Sequence, residues 1–279
     1  MSTLLDPFQL PFMQRAAVEI ALLAPLAGVL GAQIVLRRLA FYTHGVGTAT
    51  FPGLVLAGPA GVPATVAALG TGLLFAATLE RLGRFARVAY DAATALLLVA
   101  ALAIGIVLAS DVFGSGAEVD QLLFGTLLAI GPDELELTAV AVALVAVAAL
   151  AFRRTWVASG FDAEGGRALG LRVAAGDAAL LAAIAIAVVS ALDAVGALLV
   201  SAVLVIPAAT ARLFATSVRS LELLGGAIAV VEGLVGLTLA YQLDVHPGAA
   251  VAVLGGAGFA AAASLQLAIR AQRRGPGEG

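Results

Sequence analysis

Apolar positions run through this chain in long unbroken blocks, with neither the period of a strand nor the one-sided stripe of a surface helix. Nine predominantly apolar stretches, at 13–36, 39–58, 62–80, 92–110, 135–152, 177–194, 196–213, 222–242 and 247–269, are separated by short polar segments. Each is close to the roughly 20 residues that a helix needs to cross about 30 Å of hydrocarbon. A further apolar piece, 119–130, is too short to cross alone. It reads as a broken or re-entrant helix leading into 135–152, with the Gly131-Pro132 pair marking the break. As one straight helix, 177–213 would be about 55 Å long at 1.5 Å per residue, so the chain is expected to turn around between Asp193 and Gly196. Gly196 supplies the tight backbone there. The pattern predicts an all-α polytopic membrane protein with about 8–9 transmembrane helices, some of them broken.

Composition agrees. The chain has 279 residues, 62% of them hydrophobic and 12% charged, with a mean hydropathy of +1.08. That is too little polar surface for a soluble domain, and it makes lipid, not nucleic acid, the expected surrounding partner. There is no cysteine, which excludes disulfides and thiolate metal sites. Residues 1–12 carry no basic run and read as an interfacial lead-in, not a cleavable leader. Residues 13–270 form one transmembrane domain, and 271–279 a disordered, polar tail.

The net charge of −3 hides a strong asymmetry, because all 15 cationic residues are arginine. They gather at 37–38, 81–87, 153–172, 212–219 and 270–274, with Arg15 alone outside these groups. The intervening loops 59–63, 111–118, 131–136 and 243–247 contain none. Placing the arginine-bearing loops in the cytoplasm gives every span a consistent direction, with the N-terminus outside and the C-terminus inside.

Four stretches carry more than hydropathy. In the loop 153–174, Asp162 can cap a short helix running from Ala163 to Leu169, and Gly170 can end it as the residue after the C-cap. In 194–212, Pro207 interrupts a helix near its cytoplasmic end, and Thr210 is expected to satisfy the freed carbonyl. In 236–248, Tyr241 suits the aromatic belt and His246 a solvated outer turn. The fourth, FYTHGVGTATFPG at 41–53, places a histidine among glycines and threonines inside an apolar span.

Taken in order, PFMQRA at 11–16, VLRR at 35–38, FPG at 51–53, QLLFGTLLAI at 121–130, FDAEGGRALGL at 161–171, VGALLVSAVLVIPAATA at 195–211 and YQLD followed by PG at 241–248 resemble one family nearly end to end. It is the membrane (permease) subunit family of ABC-type zinc/manganese uptake transporters. The resemblance implies an ABC importer permease fold, a homodimer in a bacterial or archaeal inner membrane, and a separate cytoplasmic ATPase. It also implies an extracytoplasmic metal-binding protein that delivers cargo. Zinc or manganese would be the transported substrate, with no permanently bound cofactor and no catalysis by this chain. Phe161, Asp162, Glu164, Ala168, Leu169 and Gly170 fall on the family's ATPase-coupling segment. The Gly165-Gly166 pair departs from it and would loosen the helix by roughly 1 kcal/mol per glycine relative to alanine.

In the family, an aspartate and, four residues on, a histidine precede the FPG-like turn. Here those positions hold His44 and Thr48, so the face remains while the ligands change. Asp193 is a candidate replacement carboxylate, which suggests that His44, Thr48 and Asp193 line the path. Simpler roles stand beside this one: His44 bonded to a carbonyl, Asp193 capping a helix, Glu19 reaching toward the outer surface, Glu232 facing its twin or a helix neighbour. Gly45, Gly47, Pro52, Gly53, Gly196 and Pro207 are expected to serve close packing or gating. Two other readings remain: an ATP-independent secondary transporter or channel, and a permease of the same family with a different cargo. A hydrolase finds no support, since the chain has neither G-x-S-x-G nor H-E-x-x-H.

Overall fold

The structure, a computed structural model, describes residues 6–85, 90–112, 127, 130–196 and 199–273. After a 3-10 turn, Asp6–Gln9, come α1 (Pro11–Arg37), α2 (Ala40–Ala49), α3 (Phe51–Ala60), α4 (Ala64–Phe85) and α5 (Tyr90–Val107). Then follow α6 (Pro132–Phe161), α7 (Ala163–Ala168), α8 (Val173–Ser190), α9 (Leu192–Val195), α10 (Val200–Arg212), α11 (Val218–Leu243) and α12 (Pro247–Arg273). Among the described residues seven helices are long and apolar enough to cross a membrane. Two further stretches differ from the regular spans that the sequence predicts. The stretch 39–58 is two ten-residue helices meeting at Thr50. The stretch 196–213 narrows to the 13 residues of α10, about 20 Å at 1.5 Å per residue.

The break at Thr50 has a local cause. Pro52 has no N–H to return to the Thr48 carbonyl four residues back, and the Thr50 hydroxyl donates instead to the Gly47 carbonyl at 2.6 Å. The turn expected near Gly196 is present: α9 ends there, and Gly196 has φ 86°, a conformation that costs a side-chain-bearing residue energy. Pro132 opens α6 as expected, behind Gly131. The re-entrant piece 119–130 lies outside the described residues except for Leu127 and Ile130. Helix α6 runs on to Phe161, so much of the expected 153–174 loop is helical. Helix α12 likewise continues through Arg273, which shortens the expected tail; 274–279 lie outside the described residues.

Helix α1 is the central post, packed against α6, α10 and α11, while α8 lies against α6, α4 and α2. Close approach needs missing side chains. A Cβ on Gly28 would stand 2.5 Å from the Glu222 carbonyl of α11, and one on Gly31 2.5 Å from the Leu204 carbonyl of α10. Without a hydrophobic drive between helices in lipid, such tight backbone contact is a main source of cohesion. Gly31→Val is therefore expected to destabilise the chain by about 1–3 kcal/mol, measurable as a lower unfolding midpoint in detergent.

Polar contacts at the two ends show that α1 and α6 run one way and α8 and α11 the other. At one end, the C-terminus of α1, the C-terminal half of α6 and the starts of α8 and α11 meet through Arg37–Asp177 and Arg153–Glu222. Nearer the other end, the first halves of α1 and α6 meet the last residue of α8 through Glu19, Thr138 and Ser190.

Candidate functional site

The expected path face lies on α2. This short helix is held from both sides: the Tyr42 hydroxyl donates to the Leu181 carbonyl of α8 at 2.8 Å, and its ring stacks on Phe75 of α4 with centroids 6.0 Å apart. Gly45 lets α4 and α5 come close, since a Cβ there would meet Phe75 and Thr94 at 3.1 and 3.0 Å. Gly53 does the same for α3 on α4, where a Cβ would lie 2.5 Å from the Ala67 carbonyl. Gly47 is buried, and its carbonyl is the acceptor for Thr50. These positions serve packing within the chain.

His44 and Thr48 are both half-buried, one turn apart. The Thr48 hydroxyl donates to the His44 carbonyl at 3.3 Å. Its proton is thus directed into the helix, which leaves the oxygen's lone pairs as a weak, hard donor on the face that carries His44. Asp193 belongs to α9, and its side chain lies outside the described set, so His44 and Thr48 are the pair brought together. Among the described residues no group of three or more His, Asp or Glu converges as a metal cage.

Sequence reasoning missed a polar cluster deeper in the bundle. Glu19 does not reach outward; it is 1% exposed and accepts a 2.8 Å hydrogen bond from the Thr138 hydroxyl of α6. Thr138 Oγ1 also lies 3.3 Å from the carbonyl of Ser190, three residues before Asp193. Burial on this scale demands such partners, whereas neither residue signals its partner in sequence. Thr138→Val keeps the volume and removes the donor. It is expected to cost about 1–3 kcal/mol, read as a lower unfolding midpoint than that of Thr138→Ser.

At the arginine-bearing end, α7 is a short helix with both ends closed. The Asp162 side chain accepts hydrogen bonds from the backbone N–H groups of Glu164 and Gly165 at 3.1 and 2.9 Å. The helix ends one residue earlier than expected, at Ala168. Beyond it Gly170, at φ 76°, donates to the Arg167 carbonyl and Leu171 to the Gly166 carbonyl, the paired bonds of a Schellman ending. The two glycines of the departure from the family pattern also have packing reasons. A Cβ on Gly165 would collide with the Asp162 carboxylate, and one on Gly166 would stand 3.2 Å from Val173. Around this rigid turn Phe161 is 69% and Leu169 80% exposed, and Asp162, Glu164, Ala168 and Gly170 are exposed beside them.

The turn is tied to the bundle by contacts that sequence reasoning also missed. Arg37 donates to Asp177 at 2.6 Å, to the Trp156 carbonyl at 2.7 Å and to Ser159 Oγ at 2.8 Å. The buried Trp156 indole donates to the Gly176 carbonyl at 2.8 Å. The helices on either side of α7 are therefore joined to each other and to the end of α1.

At the proline of α10, the expectation is half right. Thr210 does turn its hydroxyl back onto the helix, but it donates to the Ile206 carbonyl at 2.9 Å. The carbonyl that lacks a donor because of Pro207 belongs to Val203, four residues earlier.

A family model described as the ABC 3 transport family matches residues 9–265. The chain belongs to the ABC 3 transport family. As an ABC 3 protein it is a transport subunit, with ATP hydrolysis residing in another chain. It is 30% identical over 251 residues to the manganese transport system membrane protein MntC of Halalkalibacterium halodurans, covering 90% of this chain and 86% of that one. It is 27% identical to the chelated iron transport system membrane protein YfeD of Yersinia pestis, over 91% of this chain and 85% of the relative. Among solved structures, PsaBC from Streptococcus pneumoniae in complex with Fab matches with a TM-score of 0.82 and 26% identity, covering 93% of this ABC 3 chain and 94% of the other. The all-α permease architecture expected from the sequence is that of the family.

Proposed function

We propose that this chain is the permease subunit of an ATP-driven importer for divalent first-row metal ions. Residues 13–270 act as one membrane domain and pair with a second copy. The arginine-bearing end faces the cytoplasm, which puts the N-terminus outside and the C-terminus inside a bacterial or archaeal inner membrane. The turn 161–170 seats in a cytoplasmic ATPase, and a metal-binding protein delivers the ion from outside. The observation that carries this reading is the capped turn itself. Phe161 and Leu169 are large apolar side chains held in solvent on a rigid base, as a docking knob requires.

ATP binding and hydrolysis in the partner would move α7. The Arg37 and Trp156 ties would pass that displacement through α6 and α8 to α1, and access would alternate around α2. His44, Thr48 and Asp193 offer one nitrogen and two kinds of oxygen. Oxygen donors suit manganese and imidazole suits zinc. Two oxygens to one nitrogen, together with the manganese and iron transport assigned to the relatives, favour manganese ahead of zinc.

Uptake by proteoliposomes holding permease and ATPase, with the binding protein outside, tests the path. His44→Ala and Asp193→Asn are each expected to lower metal uptake at least about tenfold while the complex stays intact. Full uptake in both variants would remove these residues from the path, and uptake without ATP or partner would replace the pump by a secondary transporter.

A further inference from the structure

Glu232 is a carboxyl that the transport path described above does not use. It lies in α11, eleven residues before Leu243, roughly 16 Å from that end of the helix at 1.5 Å per residue. That is close to the middle of the hydrocarbon. It is only 9% exposed, and it borders a cavity of about 30 Å³ between α1, α10, α11 and α12, enough for one or two water molecules. Ile20 and Ala27 of α1, Val203 and Pro207 of α10 and Val251 of α12 are among the lining residues. Every described lining residue other than Glu232 is apolar or glycine, so among the described residues the cavity brings no second charged or titratable group to it. Glu19, on the helix behind, bonds Thr138 of α6. His44 and Thr48 do not border this cavity.

Two features fit the cavity to a neutral carboxyl. Helix α12 presents glycines to it: a Cβ on Gly255 would lie 2.9 Å from Oε2, and one on Gly258 3.7 Å from Oε1. Both oxygens therefore face the glycines of α12, and the described ion pairs do not involve Glu232. In addition, Pro207 leaves the Val203 carbonyl without its helical donor, and both residues border the same space. A carboxylate here, with no cation opposite, would be far more costly than the acid form. The acid form needs an acceptor for its O–H, and the cavity has room for a water that would provide one.

We infer that Glu232 is a proton-binding site within the membrane. In this apolar cavity it holds a proton taken from water. When the transport cycle admits water to the cavity, the O–H bond breaks and the proton passes to that water, leaving the carboxylate solvated. Closure reverses the transfer, so no other reactant is needed. The release step rests on the transport cycle proposed above, whereas the bound proton does not.

Infrared spectroscopy of the full chain in lipid nanodiscs separates the two. The expected result is a carboxylic-acid C=O band that persists at neutral pH and is missing from Glu232→Gln. Gly255→Ala, which crowds Oε2, should shift that band without removing it, so the assignment survives even if the glutamine variant folds poorly. No such band at neutral pH in the unmodified chain would overturn the proton site. In the complex with its ATPase, adding ATP should reduce the band. A band unchanged while ATP-driven metal uptake proceeds would overturn the release step. Absence of ATP-driven uptake alongside a normal band would count against the transport reading alone.

Discussion

Leu169→Asp is expected to separate this chain from its ATPase while leaving it folded. Leu169 is 80% exposed, so its replacement removes almost no internal packing. The C-cap geometry around it is carried by backbone bonds from Gly170 and Leu171. What it does remove is an apolar contact at the proposed docking surface and, by adding a charge there, it would impose a desolvation cost on that interface. A central apolar residue in such a contact is worth about 2 kcal/mol or more, roughly thirtyfold in affinity. The expected outcome is loss of co-purifying ATPase and at least about a tenfold fall in ATP-dependent uptake, with an unchanged unfolding midpoint. Phe161→Asp should behave alike. Normal ATPase binding in both variants would mean that 161–170 is an ordinary connecting loop.

Arg37→Met is expected to act the other way, on the fold and through it on coupling. Arg37 joins three helices with three short hydrogen bonds, to Asp177, the Trp156 carbonyl and Ser159. Methionine keeps much of the aliphatic stem and leaves Asp177 without its cation. The side chain of Arg37 is 12% exposed and that of Asp177 33%, so water weakens the penalty below that of a fully buried pair. A loss of about 2–3 kcal/mol is expected from hydrogen bonds to charged groups of this kind. Chemical unfolding in detergent measures it. Arg37→Met with Asp177→Asn should recover part of the loss, because the orphaned charge has gone. No recovery would assign the loss to packing of the arginine stem.

Local chemistry made part of this structure legible in advance. Long apolar runs announced the helices, since in lipid a backbone must satisfy its own hydrogen bonds. Glycine and proline announced the breaks at 131–132 and at Gly196. Asp162 and Gly170, eight residues apart, frame α7 in the sequence itself. The kink at Thr50 was less visible, because Pro52 two residues on can begin a helix as readily as bend one.

Side-chain partners were out of reach for a different reason. Arg37 and Asp177 are 140 residues apart, and Glu19 and Thr138 are 119 apart. A span that is apolar on all faces shows no period from which its inward side can be read. Glu19 was therefore expected to face outward when it lies inside. The environment of Glu232 needed the glycines of α12, which no local pattern links to α11. For the path, His44 and Thr48 share a helix turn, as their spacing implied, and Asp193 enters the proposal through sequence position.

The absence of native cysteine allows a direct measurement of the central claim, that the turn 161–170 stands in the cytoplasm against a motor. A single Ala168→Cys chain in right-side-out vesicles can be challenged with a membrane-impermeant thiol reagent before and after the membrane is opened. Labelling that occurs only after opening, and that falls when the ATPase partner is bound, is the expected outcome. Labelling of intact vesicles from outside would reverse the topology and remove the pump with it.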